Sequence, residues 1–207
     1  MTNLLNQPGG NFRDPDISPE GPKETAALPE DVAKQNAQLV EEWAPKLYDA
    51  SAADILGWAH EHAPGKLVVT LSMENTVLAE LAERHLPDAD FLFLDTEYHF
   101  PETLEVADAV EARYPTHTLV RAKAQLTRPE QDEVYGPNLY LRNPGACCRM
   151  RKVEPLAVHM SPYAGWVTGL RRADSEHRAT APALSLEADG DELELATDLD
   201  VVKRLVG

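Results

Sequence analysis

The two cysteines of the chain, Cys147 and Cys148, are neighbours in the sequence. Adjacent Cα atoms across a trans peptide are about 3.8 Å apart, below the range of about 4.4–6.8 Å that disulfides usually span. A disulfide between them would be strained, and in a cytosolic chain such a pair indicates metal binding or redox chemistry. The alternative interpretation is two small buried apolar side chains. The pair is therefore one candidate site.

Basic side chains are concentrated between Arg149 and Arg178, directly after the cysteines, although the chain as a whole is acidic. It carries 35 acidic and 19 basic residues, a formal net charge of −16. This balance argues against general nucleic-acid binding, because such binding requires a basic surface. The basic segment indicates a small anionic ligand, and solvated helix charges are the alternative. Its basic residues are Arg149, Arg151, Lys152, Arg171, Arg172 and Arg178.

An alternation of strands and helices must position these residues. The apolar pattern predicts buried strands at 66–71, 90–94, 117–120 and 165–170. Such an alternation is typical of an α/β fold, a parallel sheet with helices on both faces. Ligands bind outside the carboxyl ends of its strands. A second helix is predicted to start after Ser51, which would be its N-cap. The other predicted helices cover residues 30–47, 75–85, 101–114, 129–135 and 148–160.

Composition divides the chain into three parts. Residues 1–29 are rich in Pro, Gly, Asn and acidic residues, which predicts a flexible arm without its own core. Residues 30–185 carry the α/β pattern, and residues 186–207 form an acidic tail. No apolar run approaches the roughly 20 residues of a membrane span, and no secretory signal begins the chain. We therefore expect a cytoplasmic protein that has no membrane partner.

Two of the predicted strand ends carry groups suited to an anion. After the first strand, residues 70–76 open a helix, whose free N–H groups suit a phosphate or sulfate. This loop has no glycine, so it predicts one anionic group rather than a triphosphate, and Ser72 as a simple N-cap is the alternative. After the fourth strand, Arg171 and Arg172 offer guanidinium forks that match sulfate and phosphate oxygens.

Four sequence blocks resemble, in the same order, the adenylyl-sulfate and phosphoadenylyl-sulfate reductases of assimilatory sulfate reduction. The resemblance covers roughly residues 52–184, and its most specific part is the pattern Cys-Cys-x-x-Arg-Lys-x-x-Pro-Leu. The blocks are Leu-Ser-Met-Glu-Asn-Thr-Val-Leu (71–78), Phe-Leu-Asp-Thr-Glu-Tyr-His-Phe-Pro-Glu-Thr-Leu (93–104), Cys-Cys-Arg-Met-Arg-Lys-Val-Glu-Pro-Leu (147–156) and Gly-Trp-Val-Thr-Gly-Leu-Arg-Arg (165–172).

The resemblance implies an adenine nucleotide α-hydrolase-like fold that reduces adenosine 5′-phosphosulfate to sulfite and AMP, with thioredoxin as electron donor. Cys147 and Cys148 would bind a 4Fe-4S cluster, in the type that prefers the substrate without a 3′-phosphate. Lys152 would lie between cluster and substrate, and Arg171 would bind the phosphosulfate. The backbone of residues 94–96 would meet the adenine. The implied substrate-binding residues are Thr70, Ser72, Met73, Glu74, Asn75, Leu94, Asp95, Thr96, Lys152, Gly169, Arg171 and Arg172.

The chain departs from the family pattern at three points. Glu97 stands where the family usually has glycine. A 4Fe-4S cluster usually takes four thiolates, and this chain has two cysteines. The family's second cysteine pair and its nucleophilic cysteine near the C-terminus have no counterpart here.

Three functions follow from these observations. The first is a reductase whose cluster site is completed by another polypeptide, in a homo-oligomer or with an intact reductase chain. The second is a non-catalytic module that binds an adenine nucleotide or assembles with an intact reductase. The third is a sulfur-transferring or ATP-cleaving relative of the same fold, which the glycine-free loop at residues 70–76 disfavours.

Overall fold

A single six-stranded sheet forms the centre of the computed structural model, which describes residues 28–186 and the strand at residues 193–196. The strands are β1 (Leu67–Leu71), β2 (Asp90–Asp95), β3 (Leu119–Lys123), β4 (Gly165–Thr168), β5 (Leu184–Leu186) and β6 (Leu193–Ala196). Their order is β3-β2-β1-β4-β6-β5. All neighbouring pairs are parallel except β5 and β6, which are antiparallel. The predicted parallel α/β fold is thereby confirmed.

Strands β1, β2 and β4 start at or within one residue of the predicted positions, whereas β3 starts two residues late. The delay has a tertiary cause, because His117 is buried and its Nδ1 lies 2.7 Å from the carbonyl oxygen of Ala89, which is 28 residues away in sequence. Strands β5 and β6 were not predicted, and β6 falls within the segment assigned to an acidic tail. The predicted arm at residues 1–29 and the rest of that tail lie almost entirely outside the described residues.

The helices follow the sequence signals for their starts. Ser51 caps α2 by accepting a hydrogen bond from the Asp54 N–H, as predicted. Pro101 stands in the first turn of α4, where its missing N–H costs no hydrogen bond. The α-helices of the described residues are α1 (Glu30–Leu47), α2 (Ala52–His62), α3 (Val77–His85), α4 (Pro101–Arg113), α5 (Arg128–Tyr135), α6 (Leu139–Arg142), α7 (Pro144–Cys148) and α8 (Glu154–Met160).

The helix predicted over residues 148–160 begins earlier and is not uniformly α-helical. It starts at Pro144, because the side chain of Asn143 accepts a hydrogen bond from the Ala146 N–H and caps the first turn. Arg149–Val153 form a π-helical turn between α7 and α8. Single π-turns occur frequently at functional sites. The cysteine pair therefore stands at the end of a short helix, directly before this turn.

Helices cover both faces of the sheet, as predicted. Alternate residues of a strand point to opposite faces. Val69 packs with Ile55 of α2 and Leu78 of α3 in the larger core. On the other face Val68 packs with Leu156 of α8. None of the described helices has the length and apolar character that crossing a membrane would require.

Candidate functional site

The strand order creates a topological switch point between β1 and β4. From β1 the chain adds β2 and β3 on one side and then returns to place β4 on the other. Open α/β sheets bind ligands beyond the carboxyl ends of their strands at such a point. Ser72 follows β1 and Arg171 follows β4, so both emerge at this edge. The Thr70 hydroxyl links the two strands by donating to the Val167 carbonyl oxygen at 3.0 Å.

The loop after β1 presents polar side chains to solvent. Ser72, Glu74 and Asn75 are exposed, whereas Met73 is buried with a positive φ of 60°. The Ser72 hydroxyl accepts a long hydrogen bond of 3.4 Å from the Glu74 N–H. Helix α3 begins only at Val77, so Ser72 is not its N-cap. Its hydroxyl lies at the ligand edge of the sheet.

Arg171, two residues after Gly169, is part of an ion-pair cluster at the same edge. Its guanidinium donates to the Asp174 carboxylate at 2.6 Å, and Arg178 lies 3.6 Å from the other oxygen of that carboxylate. The hydrogen bond from Arg171 holds the pKa of Asp174 below its ordinary value. Two guanidinium groups are therefore gathered beside β4 by one carboxylate.

Arg172 has different partners from its neighbour. Its Nε donates to the Ala181 carbonyl oxygen at 2.9 Å, and its Nη2 donates to the Tyr48 carbonyl oxygen at 2.6 Å. The guanidinium also lies over the Tyr48 ring, 4.2 Å from its centroid. Tyr48 directly follows α1, so Arg172 ties the end of that helix to the segment after β4. These contacts hold the segment after β4 in place, and the substrate-binding role of Arg172 stays a prediction.

The turn after β2 is held by internal hydrogen bonds. The Leu94 carbonyl oxygen lies 2.8 Å from Nε2 of His99, and the Thr96 hydroxyl accepts a hydrogen bond from the Tyr98 N–H. Asp95 is buried, and its carboxylate pairs with Lys123 of β3 at 3.2 Å. A cleft of about 830 Å³ opens beside this turn. Its walls are formed by Asp95, Glu97, His99, Leu104, Lys123, Arg128, Pro129, Asp132 and Glu133.

The two cysteines differ in exposure. Cys147 is buried, with 7% of its surface exposed, and Cys148 is exposed. Burial raises the pKa of the Cys147 thiol, and the positive charge of Arg151 opposes this shift without cancelling it. Polar contacts with Tyr98 and Gln131 act in the same direction as Arg151.

Arg151 occupies the centre of a buried polar cluster that the sequence did not predict. It is 3% exposed, and its Nε donates to Gln131 Oε1 at 2.8 Å. Its Nη1 donates to Glu97 Oε2 at 2.9 Å. Glu97 has a φ of 60°, in the left-handed region that favours glycine. In the sequence, Glu97 stands out as a departure from the family pattern and Arg151 as one of several basic residues. Nothing in the sequence points to Gln131.

Lys152, the next residue along, is exposed within the π-helical turn. In residues 28–186 no group of three or more His, Cys, Asp and Glu side chains is placed to hold a metal ion. Cys147 and Cys148 supply two thiolates where a 4Fe-4S cluster takes four. The residues of this chain alone therefore do not complete the implied cluster site.

The sheet order and the switch point define a doubly wound α/β fold. The crystal structure of phosphoadenylyl-sulfate (PAPS) reductase from Candida auris, in complex with phosphate, has the same fold, with a TM-score of 0.61 and 23% sequence identity over 88% of each chain. The family described as phosphoadenosine phosphosulfate reductase domain matches residues 66–196. This chain belongs to that family.

Curated relatives carry the name adenosine 5′-phosphosulfate reductase. The protein from Mycolicibacterium smegmatis is 48% identical over 148 residues, which are 72% of this chain and 62% of the relative. The protein from Streptomyces coelicolor is 45% identical over 160 residues, 77% of this chain and 67% of the relative. This chain thus spans less than two thirds of the length of the first of these relatives.

Proposed function

We propose that this chain is the nucleotide-binding part of an adenosine 5′-phosphosulfate reductase. The observation that carries the proposal is the switch point, where the polar loop after β1 and Arg171 after β4 emerge beside one another. Neighbouring strands lie about 4.8 Å apart, so the ends of β2, β1 and β4 together span about 10 Å, well within the length of a nucleotide. The names of the relatives support the substrate.

In this proposal the groups at the strand ends bind different parts of the ligand. The Arg171 guanidinium binds the phosphosulfate through its fork of donors, and the Ser72 hydroxyl adds a hydrogen bond. The glycine-free loop after β1 suits a ligand with single phosphate and sulfate groups, which needs no wrapped backbone. The adenine meets the backbone of residues 94–96, and Lys152 approaches the sulfate from the π-helical turn.

Reduction requires a thiol that takes the sulfonate group from the nucleotide and releases AMP. Both thiols of this chain belong to the Cys147–Cys148 pair, which we propose as two of the four ligands of a 4Fe-4S cluster. Thiols outside these 207 residues would supply the remaining thiolates and the nucleophile, with cytoplasmic thioredoxin as electron donor. The 207 residues alone are therefore expected to bind the nucleotide without releasing sulfite.

Titration calorimetry with adenosine 5′-phosphosulfate tests the binding. Arg171→Ala is expected to weaken binding by about 1.5–3 kcal/mol, the range for hydrogen bonds to charged groups. Arg171→Lys restores only part of the loss, because an ammonium group has no bidentate fork. Arg113→Ala, an exposed arginine in the last turn of α4, is the matched control. Equal affinity of Arg171→Ala and Arg113→Ala would refute the site.

Sulfite release is assayed after anaerobic reconstitution with iron and sulfide, with adenosine 5′-phosphosulfate and reduced thioredoxin present. The expected result is the same background as in a Cys147→Ser, Cys148→Ser double variant. Steady turnover well above that variant would show that the chain is a complete reductase. Absence of both binding and turnover would leave only a role in assembly with another reductase chain.

A further inference from the structure

Glu97 connects three parts of the fold around the cysteine pair. One of its carboxylate oxygens accepts hydrogen bonds from Nη1 of Arg151 at 2.9 Å and from the backbone N–H of Arg128 at 2.6 Å. Glu97 lies in the turn after β2, Arg128 begins α5, and Arg151 lies in the π-helical turn that follows Cys148. One side chain therefore holds the cysteine-bearing helix against two other elements.

The backbone conformation of Glu97 indicates that specific contacts hold this residue in place. A φ of 60° is uncommon for a residue with a β-carbon and persists where the surroundings hold it in place. Here the carboxylate pairs with a guanidinium that is 3% exposed. Removing one partner of a buried ion pair is strongly destabilising, because the other charge is left uncompensated.

The same contacts fix the direction of Arg151. Nε of Arg151 donates to Gln131 Oε1 and Nη1 donates to Glu97 Oε2, so two acceptors hold the planar guanidinium in one orientation. Its remaining buried nitrogen, Nη2, has no hydrogen-bond partner within the part of the chain that the structure describes. Arg151 follows Cys147 by four residues in one continuous helical segment, so the two side chains lie on the same face of it. Orientation of this guanidinium is therefore relevant to the cysteine site.

We infer that Glu97 is a positioning residue, which acts through Arg151 to orient the guanidinium beside Cys147 and to keep that thiol enclosed. The inference rests on the proposed function only in assigning Cys147 to the site, and its test uses no nucleotide. A failure of nucleotide binding would leave this test unaffected, and the reverse also holds.

Alkylation of Cys147 measures the enclosure directly. In a Cys148→Ser background Cys147 is the one remaining thiol, and its reaction with iodoacetamide at fixed pH is followed by intact mass. Glu97→Gln is expected to raise the rate about tenfold, because the unpaired guanidinium loosens the helix that carries Cys147. Glu97→Gly, which relieves the backbone strain, raises it as much, because it also removes the charge. Glu133→Gln, an exposed residue of the same cleft, is the control with an unchanged rate.

Nitrogen NMR of the arginine side chains separates positioning from general loosening. The Arg151 Nε–H signal, identified by its loss in Arg151→Lys, is expected to be sharp in the parent and in Glu133→Gln and to shift or broaden in Glu97→Gln. Arg151→Lys should itself raise the alkylation rate, which tests the contact from the other side if Glu97 variants fold poorly. An alkylation rate and an Arg151 signal in Glu97→Gln equal to those of Glu133→Gln would overturn the inference.

Discussion

Arg171 donates to Asp174 at 2.6 Å, so the guanidinium proposed to bind the phosphosulfate is already paired with a carboxylate of the same chain. Arg178 approaches the same carboxylate at 3.6 Å. An incoming anion must share these donors with Asp174 or displace it. The strength of this internal pair therefore sets part of the affinity for any anionic ligand.

Asp174→Asn is expected to tighten the binding of adenosine 5′-phosphosulfate by about twofold to fivefold, the range that corresponds to a solvent-accessible ion pair. The amide keeps the size of the side chain and removes the competing charge. Titration calorimetry measures the change, with Glu176→Gln, an exposed residue two positions along, as control. A weaker affinity in Asp174→Asn would mean that the carboxylate orients Arg171 rather than competing with the ligand.

The Asp174 pair also predicts a pH dependence. The hydrogen bond from Arg171 lowers the pKa of Asp174, so the pair stabilises the fold above the unfolded pKa of aspartate. That stabilisation is lost only as the pH falls through the lowered folded pKa. Carbon NMR of the carboxyl group should show a titration midpoint below that of an ordinary aspartate. In Arg171→Ala the midpoint should rise, and an unchanged midpoint there would contradict the assigned cause.

Tyr163→Phe is expected to lower the free energy of unfolding by about 1–2 kcal/mol. The Tyr163 hydroxyl donates to buried Asp90 Oδ2 at 2.7 Å, and the substitution leaves this oxygen without its donor. Urea unfolding followed by circular dichroism measures the effect. Tyr140→Phe removes a hydroxyl from a half-exposed ring and serves as control. The hydrogen bond would be of no consequence if both variants unfolded at the same urea concentration.

Arg172→Ala is expected to lower stability by about 1–3 kcal/mol, because two carbonyl oxygens lose a charged donor. The loss should be greatest at the end of α1, where Arg172 binds the Tyr48 carbonyl oxygen. Hydrogen exchange measured by mass spectrometry should show faster exchange in the last turn of α1 in this variant. Arg171→Ala should leave exchange there unchanged, and equal effects of the two variants would contradict their separate roles.

Much of the fold could be predicted because its signals are local. Runs such as residues 67–71 and 90–95 are apolar over a strand's length, and Ser51 and Pro101 mark helix starts. The start of β3 was misplaced because the tertiary contact of His117 with Ala89 lies 28 residues away in sequence. The π-helical turn at Arg149–Val153 has no known compositional signal, so the sequence predicted a plain helix.

The site was only partly predictable for a similar reason. Residues next to strand ends, such as Ser72 and Arg171, can be placed once the strands are known. The partners of Arg151 cannot, because Glu97 and Gln131 lie 54 and 20 residues away from it in the sequence. Arg172 looked equivalent to Arg171 in the sequence, and only the folded positions of Tyr48 and Asp174 distinguish their contacts.

The order in which the strands are translated has a consequence for folding of the chain on the ribosome. Strand β5 pairs with β6, and β6 in turn pairs with β4, although β6 is the last of the three to be translated. Until Leu193–Ala196 leave the ribosome, β4 offers an unpaired edge to any other extended chain nearby. Nascent chains that stall before this point are therefore the ones we expect to aggregate.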